Sequence, residues 1–399
     1  MTTEIDRIIA SEFASLKAIR HDLHRHPELF FKEHRTAGIA AKELKALGAK
    51  VKEGVGVTGV LGYLPASDAA GNTKPAVALR ADMDALPIEE ETGKPYASSV
   101  KGQIHACGHD GHTTILIGAA RVLSKIHRPR PVLFVFQPAE ECGGGGDRMC
   151  RDGAMGGEAT GGLGNPVGCI YGLHGWPTVD LGSVASKPGP ILAATDEFVV
   201  RIHGTQSHGA YPHQGRDPIL TSSYIIAQIQ SIASRNVSPL DSVVVTVGAI
   251  HAGTASNIIP KSVEFIGTIR TLRRETRALA KRMFYSIVEG VAASMQCRAE
   301  ISWEDGYPMT DNEPALTRGF FETADAALGA DRVVRLSEAS MGGEDFAYYG
   351  AFVPSCFYQL GLKPAHMDRY PTLHQPDFDF NDDAIPVGVK MMALLATRD

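Results

Sequence analysis

The sequence predicts an α/β fold: a main domain with a mainly parallel central sheet flanked by helices, and a smaller ferredoxin-like domain inserted into it. Three observations lead there. In the first half, short and continuously apolar runs alternate with amphipathic stretches, the pattern of strands buried on both faces between helices. Between about residues 191 and 304 the order changes to β-α-β-β-α-β. After that segment, helices and one buried strand resume.

Taken in order, Ile5, Ile8, Ile9, Phe13, Leu16, Ile19 and Leu23 place one amphipathic helix over residues 3–25. A second runs from about Thr36 to Leu47 and ends at Gly48, a residue suited to the position after a helix. The apolar runs Thr58–Leu64, Ala76–Leu79, Val132–Phe136 and Cys169–Leu173 predict strands, with a helix over Thr113–Ile126. In the insert, strands are expected at Glu197–Ile202, Ser242–Ile250, Ser262–Thr271 and Arg298–Trp303, and helices at Asp217–Ser234 and Glu275–Met295. Helices at Pro314–Leu328 and Asp383–Thr397 and a strand near Cys356–Leu360 return to the first domain. The expected division is therefore residues 1–190 and 305–399 against 191–304, with hinges at the Gly/Pro-bearing stretches Ser186–Leu192 and Asp305–Pro314. The Gly-rich stretches Gly143–Gly146 and Gly153–Gly164 predict a mobile loop.

The chain has 399 residues, 44% of them apolar and 21% charged, which suits a folded protein of two or three domains. No run of about 18 apolar residues is present, so no membrane helix is expected. The formal charge of −6 argues against nucleic acid or an anionic membrane as partner and leaves room for a small anionic ligand on local cations. Met1-Thr2-Thr3-Glu4-Ile5-Asp6 is acidic where a signal peptide is basic, and a cytoplasmic protein is expected. The six cysteines show no paired framework.

Chemistry concentrates in four segments. His105-Ala-Cys107-Gly-His109-Asp110-Gly-His112 packs three His, one Cys and one Asp into eight residues, a density of soft and borderline donors that points to metal. Gln137-Pro138-Ala139-Glu140-Glu141 follows a buried strand, where an open α/β sheet places its site; one carboxylate can bind a metal while the other serves as a base. His174-Gly-Trp176-Pro177 ends another strand, and Leu373-His374-Gln375-Pro376 lies near the C-terminus. Either His alone is more often structural. Together the donors suit two divalent ions better than one, because a structural zinc closes with four. In Arg80-Ala-Asp82-Met-Asp84 one Asp could orient a ligand imidazole, or serve a cap or ion pair. In the insert, the loop Gly204–His213, Asn257 and Arg270 are rich in donors, though from residue types alone turn chemistry for Asn257 and a surface cation for Arg270 account for them better.

These segments, in this order, resemble the aminoacylase and carboxypeptidase family of dinuclear metallopeptidases, most closely its hippurate hydrolase branch, which includes the plant indole-3-acetyl-amino-acid hydrolases. The resemblance runs from Arg20-His21-Asp22-Leu23-His24-Arg25-His26-Pro27 to Phe378-Asp379-Phe380-Asn381-Asp382 and rests on the combination HACGHDGH, QPAEE, HGWP, SHGAYPH, NIIP, GTIR, MGGEDF and LHQPDFDF. It implies that Cys107, His109, Glu141, His174 and His374 hold two divalent ions per subunit, zinc, manganese, cobalt or nickel. It implies Glu140 as general acid/base and Asp84 behind the ligands. It implies His208, Asn257, Arg270 and Gly343 at the substrate, and a homodimer or homotetramer formed through the inserted domain. The implied reaction is metal-dependent hydrolysis of N-acyl (aroyl or acetyl) amino acids such as hippurate. A dipeptidase, a carboxypeptidase or a small-molecule deacetylase would use the same site. Cys107 as a nucleophile, or a ligand-binding protein without turnover, are the readings from other classes. The chain departs from the resemblance after Glu141, where Cys142, Cys150 and a Gly-rich insert, Gly156–Pro166, stand close to the predicted ligands.

Overall fold

The computed structural model describes residues 2–398 and divides into two compact units. The larger comprises the chain up to Ile191, Asp311–Glu338 and the chain from Asp345 onward. Its eight-stranded sheet runs in the order Lys50–Val55, Gly59–Leu64, Val132–Gln137, Ala76–Asp82, Val167–Asp180, Ser355–Lys363, Val184–Ser186, Val333–Arg335. The central strands, Val132–Gln137 through Ser355–Lys363, are mutually parallel, and antiparallel pairings flank them. Gly59–Leu64, Ala76–Asp82 and Val132–Gln137 are buried at every position, which explains their largely apolar sequence. Helices Thr2–Arg25, His109–Leu123 and Ile385–Ala396 pack on one another, and Ile5, Leu16, Ile115, Leu116, Val389 and Met392 join the sheet's core.

The smaller unit comprises Leu192–Thr310 and Ala339–Glu344. Strands Ala194–His203, Val243–Ala252, Ser262–Thr271 and Arg298–Asp305 form an antiparallel sheet in the spatial order second, third, first, fourth. Phe198, Val200 and Ile202 point to one face and pack with Ile225, Phe265, Phe284 and Val288, so helices Pro218–Ile229 and Arg274–Ser294 seal that side. Asp217 caps the first helix by accepting the N–H groups of Ile219 and Leu220, with Pro218 in its first turn.

Three expectations need correcting. The helix expected from Thr113 begins at His109, inside the His/Cys motif, because Gly108 takes a left-handed φ of 86° and turns the chain into it. The stretch Gly143–Gly146 is not all loop: a helix spans Gly145–Arg151. A Cβ on Gly145 would stand 1.7 Å from the Pro138 carbonyl oxygen, so the glycine serves a close backbone approach. The segment Ala339–Glu344, with Gly343, falls in the smaller unit, tied there by the Ala193 N–H donating to the Gly342 carbonyl at 2.8 Å. Among the described residues no helix is long and apolar enough to cross a membrane.

Candidate active site

The C-terminal ends of the parallel strands of the larger unit gather the predicted residues. Strand Ala76–Asp82 leads into Asp84, Val132–Gln137 into Glu140 and Glu141, and Val167–Asp180 carries His174. His109 opens its helix, and Cys107 lies just before it. His374, at a φ of 62°, is fastened to this loop by its N–H, which donates to the Ala106 carbonyl at 2.9 Å.

Donor atoms of Cys107, His109 and His174 lie within 4.8 Å of one another, and so do those of Cys107, Glu141 and His374. Cys107 belongs to both groups, so its sulfur stands where two clusters meet. Cys107 Sγ is 3.2 Å from His174 Nε2. His174 Nδ1 is 2.8 Å from the Gly175 carbonyl, which fixes the proton on Nδ1 and turns the Nε2 lone pair toward the sulfur. Burial holds the His174 imidazole neutral and pushes the Cys107 thiol up, with Glu141 and Glu140 adding to the second effect.

The donor set fits a cation. Both ring nitrogens of His109 and Oε1 of Glu141 are buried without an aligned hydrogen-bond partner. Glu141 Oε1 is nonetheless 3.2 Å from His374 Nε2 and 3.9 Å from His109 Nε2. Burial alone would keep His109 neutral, yet Asp82, Asp84 and Glu141 raise it to about 10. Converging acceptors around an orphaned imidazole are what a divalent ion satisfies, and one thiol, three imidazoles and a carboxylate suit zinc or another borderline metal. Asp84 accepts the N–H of Glu140 on Oδ1 and that of Glu141 on Oδ2, each at 3.0 Å. The same Oδ1 stands 3.3 Å from His109 Nδ1. One carboxylate thus holds the backbone of two candidate residues and faces the imidazole of a third.

His112 is near but not available as a donor. Its Nε2 accepts the Gly175 N–H and its Nδ1 faces Asp82 Oδ1, both at 2.7 Å. Beneath it lies a wholly buried network that sequence reading did not assign. Arg80 donates to Asp82 at 2.6 Å, to Gln137 at 2.8 Å and to Asp345 at 3.1 Å. The Asp345 N–H in turn donates to Glu140 Oε1 at 3.4 Å. The available signal was an Arg and a Gln inside otherwise apolar strands, since a buried charge needs partners.

The remaining predicted residues, His208, Asn257, Arg270 and Gly343, lie in the smaller unit. There His208 pairs with Ile258 on a short two-stranded ribbon, and the Asn257 carbonyl accepts the Gly209 N–H at 2.7 Å. Both side chains are exposed. Arg270 is half-buried at the end of its strand, its guanidinium bonded to Thr268 Oγ1, and it makes no ion pair among the described residues. Gly343 sits in the Ala339–Glu344 segment, where a Cβ would meet Thr195 Cγ2 at 2.4 Å.

The family model for peptidase family M20/M25/M40 matches residues 78–398. An N-acetyl-L-cysteine deacetylase of Bacillus subtilis is 40% identical over 373 residues, covering 93% of this chain and 84% of the relative. An IAA-amino acid hydrolase of Arabidopsis thaliana is 36% identical over 393 residues, covering 97% and 86%. Among solved structures, the Bacillus subtilis YxeP protein, described as a dinuclear metal binding peptidase, superposes with a TM-score of 0.82 at 32% identity, covering 97% of this chain and 98% of the other.

Proposed function

The chain belongs to peptidase family M20/M25/M40, and on that premise we propose that it hydrolyses the amide bond of N-acyl amino acids, releasing a carboxylic acid and a free amino acid. The observation that carries the reading is the unequal treatment of two adjacent carboxylates. Both stand about equally far from His109 Nε2, Glu141 Oε1 at 3.9 Å and Glu140 Oε2 at 4.0 Å, but Glu141 Oε1 is also 3.2 Å from His374 Nε2 and clusters with Cys107, while Glu140 Oε1 accepts the Asp345 N–H. This difference supports Glu141 as a ligand and Glu140 as the base.

Cys107, His109, Glu141, His174 and His374 would hold two divalent ions, whose chemistry here is to polarise a carbonyl and lower the pKa of water from 15.7 to about 7. Glu140 takes the proton of the attacking water and returns it to the departing amine nitrogen. Asp84 keeps Glu140 and Glu141 in register through their amides. Arg270 receives the α-carboxylate of the substrate, with Asn257 and His208 supplying further donors. That Arg270 makes no ion pair among the described residues, with Glu197 and Asp196 acting on it only at longer range, supports that role. A homodimer formed through the smaller unit is part of the same proposal; strand Val243–Ala252 is an edge, with Val244 and Ile250 exposed on it.

The test is amino-acid release from N-benzoyl, N-acetyl and indole-3-acetyl amino acids and from dipeptides, after chelation and after adding back manganese or zinc. Metal-dependent release from the N-acyl substrates is expected, and preference for dipeptides would move the enzyme to the peptidase reading. Glu140→Gln should keep its metal and lose about 10²–10⁴ in kcat. Near-full activity in that variant would remove Glu140 as the base.

A further inference from the structure

We propose that Glu33 is a positioning residue for this reaction, whose buried carboxylate holds the Ala139–Glu141 turn in the conformation that presents Glu140. The proposal rests on Glu140 being the base. Glu33 stands at the N-cap of helix His34–Ala46, where a carboxylate ordinarily accepts helix amides, yet its side chain makes no cap bond there. It is fully buried and turned elsewhere. One oxygen accepts the N–H of Phe31 at 3.0 Å and that of Ala139 at 2.9 Å; the other accepts the Thr58 hydroxyl.

Both amide donors belong to non-glycine residues in the left-handed region, Phe31 at a φ of 57° and Ala139 at 52°. Side chains are disfavoured there, so such a conformation persists only where surroundings impose it. Ala139 immediately precedes Glu140. The next two amides, of Glu140 and Glu141, go to Asp84. Three successive N–H groups are therefore taken by two carboxylates from distant parts of the chain, and the Ala139 carbonyl is taken by the Gly145 N–H at 3.1 Å. No regular element supplies these bonds, so the turn has the shape its carboxylates give it. Phe31 extends the clamp: its ring edge would meet a Cβ on Gly143 at 2.6 Å, and the Arg148 guanidinium lies 4.4 Å over its centre.

Four measurements test this. Glu33→Gln keeps an oxygen for the two amides and offers an N–H that the Thr58 hydroxyl can accept, so kcat should stay within about threefold of wild type. Glu33→Leu should lower kcat by about 10²-fold, the scale of a misplaced catalytic group, with KM within about threefold. Adding Ala139→Gly to Glu33→Leu should recover at least about tenfold, because glycine takes a positive φ without being held there. In metal-free protein, amide exchange of the peptide covering Ala139 should accelerate in Glu33→Leu and stay slow in Glu33→Gln. If Glu33→Leu does not fold, Glu33→Asp, too short to reach both Ala139 and Thr58, carries the same comparisons. Wild-type kcat in the Leu or Asp variant, or a loss that Ala139→Gly leaves untouched, overturns the proposal. Full activity in Glu140→Gln would instead sink the choice of base, and the exchange measurement would still judge what Glu33 holds.

Discussion

Asp84→Asn removes one charge and changes no volume, which makes it a sharp probe of how the site is held. In the wild type the two oxygens of Asp84 accept the amides of Glu140 and Glu141, and one of them faces His109 Nδ1. An Asn keeps one acceptor; its NH₂ must then oppose a backbone N–H or the imidazole. A hydrogen bond to a charged group is worth about 1.5–3 kcal/mol, and the buried N–H left over carries a penalty of about 1–3 kcal/mol. The surviving bond also weakens, since a neutral acceptor is roughly half as strong. A net loss of about 2–3 kcal/mol in holding Glu141 and His109 corresponds to about 30–150-fold, at about 1.4 kcal/mol per decade. Removing a group that hydrogen-bonds behind metal ligands costs about 10–100-fold in metal affinity, in line with this figure. Competition against a chromophoric chelator measures the affinity directly, and kcat at saturating metal should fall as well, because Glu140 shares the same anchor. An Asn variant that binds metal and turns over as the wild type does would refute this account of Asp84.

Three further outcomes are expected. Arg270→Ala should raise KM about 10–100-fold for substrates with a free α-carboxylate and leave their amide analogues little changed, since the lost contact is a charge-assisted pair; equal losses on both would make Arg270 structural. Chelation should lower the melting temperature by at least several degrees, and add-back should restore it, because a ligand at about 1,000 times its Kd stabilises by about 4 kcal/mol; superposable melts would show that the donor cluster holds no ion. Burial disfavours protonated His24, but Asp110 and Glu90 raise it to about 9, above the unfolded value of 6.5. Its contribution, at most about 3 kcal/mol, is therefore complete below about pH 6.5 and is lost as pH rises through about 9; urea titrations should show that decline flattened in His24→Gln.

The sequence carried the parallel sheet because its strands are buried on both faces and so read as unbroken apolar runs. It also pointed to the Cys, His and Glu donors that the fold gathers into one cluster, because they recur at strand ends in a combination that no single residue would make telling. It missed strand Lys50–Val55, whose lysines and glutamate face solvent at the sheet edge and leave no apolar pattern. It missed the start of the His109 helix because the initiating signal is the backbone of Gly108, and it placed Ala339–Glu344 in the wrong unit because a single strand bridge at Ser340 is invisible in periodicity. Arg80, Gln137, Asp345 and Glu33 were not assigned because each acts through partners dozens to hundreds of residues away, and no local spacing encodes such a meeting.

Two neighbouring glutamates cannot be told apart by type, and the structure separates them by what reaches each one. Glu141 Oε1 lies 3.2 Å from His374 Nε2 and 3.9 Å from the unbonded imidazole of His109, a setting that suits the proposed role as ligand. Glu140 has an oxygen already engaged by the Asp345 N–H, an arrangement that restrains its rotation and agrees with the proposed role as base. Asp345 is itself fixed by Arg80, Gln137 and the Gly146 N–H, so the restraint on Glu140 is anchored in the floor of the sheet. The amides on the other side of the pair are anchored by Asp84 and Glu33. A base that must take and return a proton within one turnover needs a fixed position more than a shifted acidity, and here the fixing elements converge from four separate stretches of the chain.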